Sequence, residues 1–240
     1  MPEPVWRDAL TPLMLLQRTL LVFPEQTAVV YGDERWSYAR FAEEVGRFAG
    51  ALRRSGVEPG DRVALLAPNV PLLLAAHFAV LRLGAVLVAI NTRLAPEEVG
   101  YILNHSGARV VLADPELAGK VSGAPGGLAA RPLLVNLEDP VAGLTGGPLA
   151  GPAYLEWVHR AEVLPLGGID DEERLTSLNY TSGTTGRPKG VMYTHRGTYL
   201  NALGEILVHG LRRDSVFLWT LPLFHCNGWC FPWAVTAVGA

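Results

Sequence analysis

Apolar residues recur at two periods along the chain, and each change of period predicts a change of element. Thr11-Pro12 is a helix start, with threonine as cap and proline in the first turn; Leu13, Leu16 and Leu20 then form one stripe, and Phe23-Pro24 ends it. Residues 28–31 and 35–37 around Gly32-Asp33 read as a hairpin. From Ser37 to Ser55 a helix is predicted, with Phe41, Val45, Phe48 and Leu52 on one face and Gly56 as its stop. Strand and helix patterns then alternate: strand 62–67, helix 70–83, strand 85–90, helix 96–105, strand 109–113. Such βαβαβ order with short apolar strands implies an α/β fold with doubly wound sheets and helices on both faces. Glycine, proline and small residues dominate 119–152, which reads as an irregular crossover with a strand at 133–137. A short helix over 153–160, strands 175–180 and 190–194, a helix 197–209 and a strand 216–220 complete the pattern.

Composition narrows the class. The 240 residues are 49% apolar, enough for a substantial core, and twenty basic against twenty-three acidic side chains leave a net charge of −3. Nothing there favours nucleic acid or an anionic membrane, so any anion must be held by a local site. Residues 70–90 are long and apolar enough to resemble a membrane span, but His77, Arg82 and Gly84 interrupt them and a buried helix–strand unit explains them better. The amino terminus lacks the pattern of a signal peptide, and a cytoplasmic protein without a transmembrane segment is expected. Cys226 and Cys230, four apart beside His225 on an expected helical turn, offer too few ligands for structural zinc and are read as ordinary buried thiols.

One stretch is richer in chemistry than any other. Between Tyr180 and Gly190 lie four hydroxyls (Thr181, Ser182, Thr184, Thr185), the glycines Gly183 and Gly186, and Lys189. Glycine lets the backbone curl so that amides converge on an anion, hydroxyls add rotatable donors, and lysine adds a mobile positive charge. A Walker A loop is excluded, because Arg187 and Pro188 separate Gly186 from Lys189 and Gly190 follows the lysine. No two glycines in the chain are spaced by one residue, which excludes the dinucleotide fingerprint. The flanking strands make the stretch a tight turn between extended segments.

From Tyr180 to Val191 the order of residues resembles the signature loop of the AMP-forming, or adenylate-forming, ligases, most closely the medium- and long-chain fatty acyl-CoA synthetases. Trp36-Ser37-Tyr38, Leu83-Gly84-Ala85 and residues 89–94 resemble early motifs of the same family, and residues 221–229 resemble its second diagnostic motif, which lines the acyl pocket. The resemblance implies that a carboxylic acid attacks ATP to give acyl-AMP and that CoA then takes the acyl group as a thioester. It implies phosphate contacts from Thr181, Ser182, Gly183, Thr184, Thr185, Gly186 and Lys189, with Thr184 also touching Mg²⁺. His225, Asn227, Gly228 and Trp229 would contact the acid. His225 stands where amino-acid-activating relatives carry an aspartate, which favours a small-molecule acid lacking an α-amine, a fatty acid first and an aryl acid second. Core packing stays open beside substrate contact for Trp229 and Trp233, and a satisfied hydrogen bond or surface charge is the expected role of His195 and Arg196.

The resemblance implies two lobes, 1–165 with the parallel sheet and crossover and 166–240 with the phosphate loop and acyl motif. It implies no certain catalytic residue within these residues. The family's later motifs and its carboxy-terminal domain have no counterpart here, so the chain by itself is expected to be inactive, the alternative reading being a nucleotide- or acyl-binding fragment without turnover. Either a second copy or a missing carboxy-terminal portion is expected to cover apolar surface.

Overall fold

A computed structural model describes residues 8–181 and 186–240. Helix α1 (Pro12–Val22) begins as its cap predicts, the Thr11 hydroxyl accepting from the Leu13 amide. Strands β1 (Thr27–Tyr31) and β2 (Glu34–Ser37) form an antiparallel hairpin, and Ser37 caps α2 (Tyr38–Arg54). The alternating region follows as β3 (Arg62–Leu66), α3 (Pro71–Arg82), β4 (Val86–Ala89), α4 (Pro96–Ser106) and β5 (Val110–Ala113). The crossover contains a short helix α5 (Ala118–Ser122) that its small residues had not suggested, then β6 (Leu133–Asn136). Beyond it lie α6 (Tyr154–His159), β7 (Leu175–Thr181), β8 (Lys189–Thr194), α7 (His195–His209) and a helix Phe231–Val238.

Six strands make one sheet in the order β6-β5-β3-β4-β7-β8. The first five run parallel, with Arg62 opposite Val86 and Val63 opposite Val110; β8 is an antiparallel edge. Strands β4 and β5 are buried throughout, as expected of a sheet covered on both faces. One core packs α1, α2, α3, α6 and the helix Phe231–Val238 on one face; α4 and α5 pack on the other with Val88, Ile90 and Val111. Strands β7 and β8, from the region assigned by resemblance to a second lobe, extend the same sheet through the pairing of Leu87 with Ser177.

Residues 216–220 correct an expectation. The alternation is present, Val216 and Leu218 being 94% and 79% exposed while Phe217 and Trp219 pack on the core, but no strand among the described residues pairs with this segment. Side chains hold it instead: Phe217 stacks on Phe231 at 4.5 Å, and the Asn69 amide donates to the carbonyls of Trp219 and Leu221. The turn expected around the two cysteines is also different in kind. Cys226, Asn227, Gly228, Trp229 and Cys230 all have positive φ, 45° to 63°, so the turn winds with left-handed sense.

Candidate active site

The pleat of β7 sends its side chains to two places. Leu178 and Tyr180 pack toward α4, whereas Ser177 and Asn179 meet the 226–230 turn on the other side. The Tyr180 hydroxyl lies 2.8 Å from Nδ1 of His105, whose ring stacks on Tyr101, and the Arg187 guanidinium sits over Tyr101 at 5.4 Å. Burial raises the Tyr180 pKa. Across the ladder from Tyr180 stands Gly190, where a Cβ would lie 3.3 Å from the tyrosine ring, so glycine leaves room for that ring to lie over the hairpin.

The hairpin closes with Thr181 opposite Lys189. Both are exposed, and Lys189 forms no ion pair or hydrogen bond among the described residues. A cavity of about 190 Å³ lies at this end of β7, lined by Asn179, Tyr180, Thr181 and Pro188 from the hairpin and by Phe224, His225 and Cys226 from the second motif. The two segments singled out in the sequence therefore share one cleft at the carboxyl ends of parallel strands, where open α/β sheets gather ligands. Ser182, Gly183, Thr184 and Thr185 lie outside the described residues, and with them the magnesium contact assigned to Thr184.

The remaining motif residues separate. His225 is exposed on the cavity wall. Asn227 is fully buried, its Oδ1 accepting from the Ser177 hydroxyl and the Asn179 amide, each at 2.6 Å, which ties the turn to the sheet. Gly228, φ 57°, faces Trp219, whose ring would stand 2.8 Å from an added Cβ. Trp229 is 53% exposed and lines a second, larger cavity of about 570 Å³ with Met192 and Tyr193 of β8 and Asn201 of α7. Trp233 is core, its indole donating to the His77 carbonyl at 3.1 Å.

Of the two histidines beside the motifs, His225 faces the cleft and His195 does not. His195 is buried with Nδ1 2.8 Å from the Thr11 hydroxyl, and burial, then the Arg174 charge, pushes it down to about 4. Arg196 pairs with Glu172 at 2.5 Å. Cys230 is buried and its thiol is pushed up to about 11, chiefly by that burial, which leaves it unreactive near neutral pH.

Asn69 was missed in the sequence. Besides its two donated bonds, its Oδ1 accepts from the Leu223 amide at 2.8 Å, so one side chain does for the second motif what a neighbouring strand would do. A lone amide directly after Pro68, at the carboxyl end of an apolar strand, is the signal that could have found it. Ser177 and Asn179, polar residues inside a strand, are a similar signal.

Comparison with known proteins shows the family and the fold. A family model described as AMP-binding enzyme matches residues 16–240. The 4-hydroxybutyrate–CoA ligase 2 of Metallosphaera sedula is 41% identical over 100% of this chain and 44% of its own length. A peroxisomal acetate/butyrate–CoA ligase of Arabidopsis thaliana is 36% identical over 96% of this chain and 42% of its own. Among solved structures, an anthranilate CoA ligase in complex with anthranoyl-AMP superposes with a TM-score of 0.86 at 29% identity, over 98% of this chain and 45% of that one. The chain thus spans less than half the length of these relatives. No described helix is long and apolar enough to cross a membrane.

Proposed function

This chain belongs to the AMP-binding enzyme family, and from that premise we propose that the protein activates a carboxylic acid with ATP and transfers the acyl group to CoA. The observation that carries the reading is the shared cleft: Thr181 and Pro188 border the space that Phe224 and His225 wall from the other side, and the exposed Lys189 stands opposite Thr181 in the ladder. In the first step a carboxylate oxygen bonds to the α-phosphorus of ATP while the bond to the bridging oxygen breaks and pyrophosphate leaves. In the second, the CoA sulfur bonds to the acyl carbon, AMP leaves, and the thiol proton passes to solvent. Carboxylate is a weak nucleophile toward charged phosphate, so the residues have to position the reactants and neutralise charge more than abstract a proton. Lys189 supplies charge to the leaving phosphates, and Thr181 with its neighbours Ser182 to Thr185 supplies donors. Mg²⁺, with Thr184 as one of its few protein contacts, would neutralise phosphate charge when bound.

The acid is proposed to be short and to lack an α-amine. The modest cavity, the imidazole of His225 in its wall and the named substrates of the two ligase relatives support that choice over a long fatty acid. An aryl acid is the second reading, supported by the anthranilate ligase neighbour. Because the chain is under half the length of its relatives, nucleotide binding rather than turnover is the decisive readout. Calorimetry with ATP should show saturable binding that weakens roughly tenfold in Lys189→Ala, a charge-assisted contact being lost. No binding, or the same affinity in the variant, would sink the reading. Acid preference is then read by displacement with butyryl-AMP, benzoyl-AMP and palmitoyl-AMP analogues.

A further inference from the structure

Beside the first turns of α2, the β1–β2 hairpin, the start of α3 and the crossover enclose a cavity of about 230 Å³. Its walls are aromatic and aliphatic, with Tyr31, Trp36 and Tyr154 facing Val70 and Pro71. Four carboxylates line it (Glu34, Glu44, Glu138 and Asp139) against one cation, Arg40. Three of the acids are already engaged. Glu34 pairs with Arg40 at 2.9 Å and accepts from the Trp36 indole; Asp139 accepts from the Tyr31 hydroxyl at 2.5 Å and from the Val141 and Ala142 amides; Glu138 accepts from the Gly146 amide. Arg40 is engaged further, lying over the Trp36 ring at 4.9 Å and donating to the Arg35 carbonyl.

Two polar groups are left over. Glu44 makes no hydrogen bond and no ion pair among the described residues, and its half-buried carboxyl is raised above the usual range, chiefly by burial. Tyr154 is 1% exposed, yet its hydroxyl has no hydrogen-bond partner among the described residues. A buried phenol without a partner costs stability unless something else satisfies it. The two groups interact, the Glu44 charge raising the Tyr154 pKa further.

From these we propose that the cavity is a binding site for a small primary alkylammonium ion. An ammonium group can donate to the Glu44 carboxylate and to the Tyr154 oxygen, and it would give Glu44 the direct ion pair that the nearby charges of Arg47 and Arg40 do not make with it. The indole and phenol rings favour a cation against their faces, and Val70 and Pro71 take a short alkyl tail. An anion would meet four carboxylates. A calcium ion would need six or more oxygens where only two groups are uncommitted.

The test is a titration of the full chain with n-butylammonium chloride, followed by ¹H–¹⁵N NMR at the Trp36 indole and the amides of Glu44 and Val141. Saturable shifts confined to that region are expected, with n-butanol and sodium butyrate binding at least roughly tenfold more weakly for want of the charge. Glu44→Gln keeps the shape and should weaken butylammonium about tenfold, and Tyr154→Phe should weaken it severalfold. The second variant removes an unsatisfied buried hydroxyl, so it should fold at least as well as the parent, and a weakened affinity there cannot be blamed on unfolding. Absence of saturable shifts, equal binding of n-butanol, or unchanged affinity in Glu44→Gln would each overturn the proposal and leave a cavity filled by water.

Discussion

At the scale of single residues, the buried histidines set an acid limit on stability. His77 and His195 are both fully buried and both held down to about 4, mainly by burial, against 6.5 for a free imidazole. The unfolded chain therefore binds protons that the folded one does not. Their neutral form contributes its full stability above the unfolded value, and the contribution is lost as pH falls from 6.5 toward 4. Between pH 7 and 5.5 each should cost about 1 kcal/mol. Urea titrations at the two pH values check this: the loss should be roughly halved in His195→Gln, and a midpoint that does not move would refute it. Asn227 is a second such residue. Asn227→Leu leaves the Ser177 hydroxyl without its acceptor and the Asn179 amide with only its bond to Ser177, and should lower unfolding free energy by roughly 2 kcal/mol in the same assay. The sequence marked Asn227 as important by motif, but not that its amide points into the sheet. That orientation comes from the reversed hand of the turn, and of its five residues only Asn227 and Gly228 are of a type that hints at it.

At the scale of elements, periodicity was informative wherever a helix or strand buried one face against the sheet. The stripe Phe41, Val45, Phe48 and Leu52 on α2 is fully buried, and Thr11 and Ser37 cap as read. Two glycines on the same helix carry information that periodicity cannot. A Cβ on Gly50 would stand 1.8 Å from the Glu162 carbonyl oxygen and one on Gly46 2.5 Å from that of Leu164, so the chain after α6 crosses α2 at backbone contact. Gly50→Ala should cost roughly 3 kcal/mol by forcing that crossing apart. Gly204, in α7 with open space around it, should respond the other way, Gly204→Ala raising stability by about 0.5–1 kcal/mol. Thermal unfolding of the pair checks both signs. Residues 216–220 show the opposite limit: alternation reports an extended backbone with one wet face, and says nothing about whether another strand lies beside it.

At the scale of the whole molecule, βαβαβ order revealed the parallel sheet, since short apolar strands joined by helices have few other ways to pack. It did not reveal that β7 inserts beside β4, because a single cross-strand pair far apart in sequence leaves no local trace. The same architecture leaves large apolar side chains exposed. Met192 on the β8 edge is 66% exposed, Leu207 and Val208 on α7 are 82% and 80% exposed, and Val216 is 94% exposed. Concentration-dependent association is expected, measured by sedimentation velocity, and Val208→Glu should shift it toward monomer. A monomer at all concentrations would refute this. The strand order also carries a consequence in time. The sheet's first four parallel strands can assemble while synthesis continues, but β7 and β8 join last, and α1 is sealed only when Thr19 finds the carbonyl of Thr236. On the ribosome, then, the parallel platform forms before the hairpin that carries Thr181 and Lys189, so the nucleotide contacts proposed above can form only after β8 has emerged.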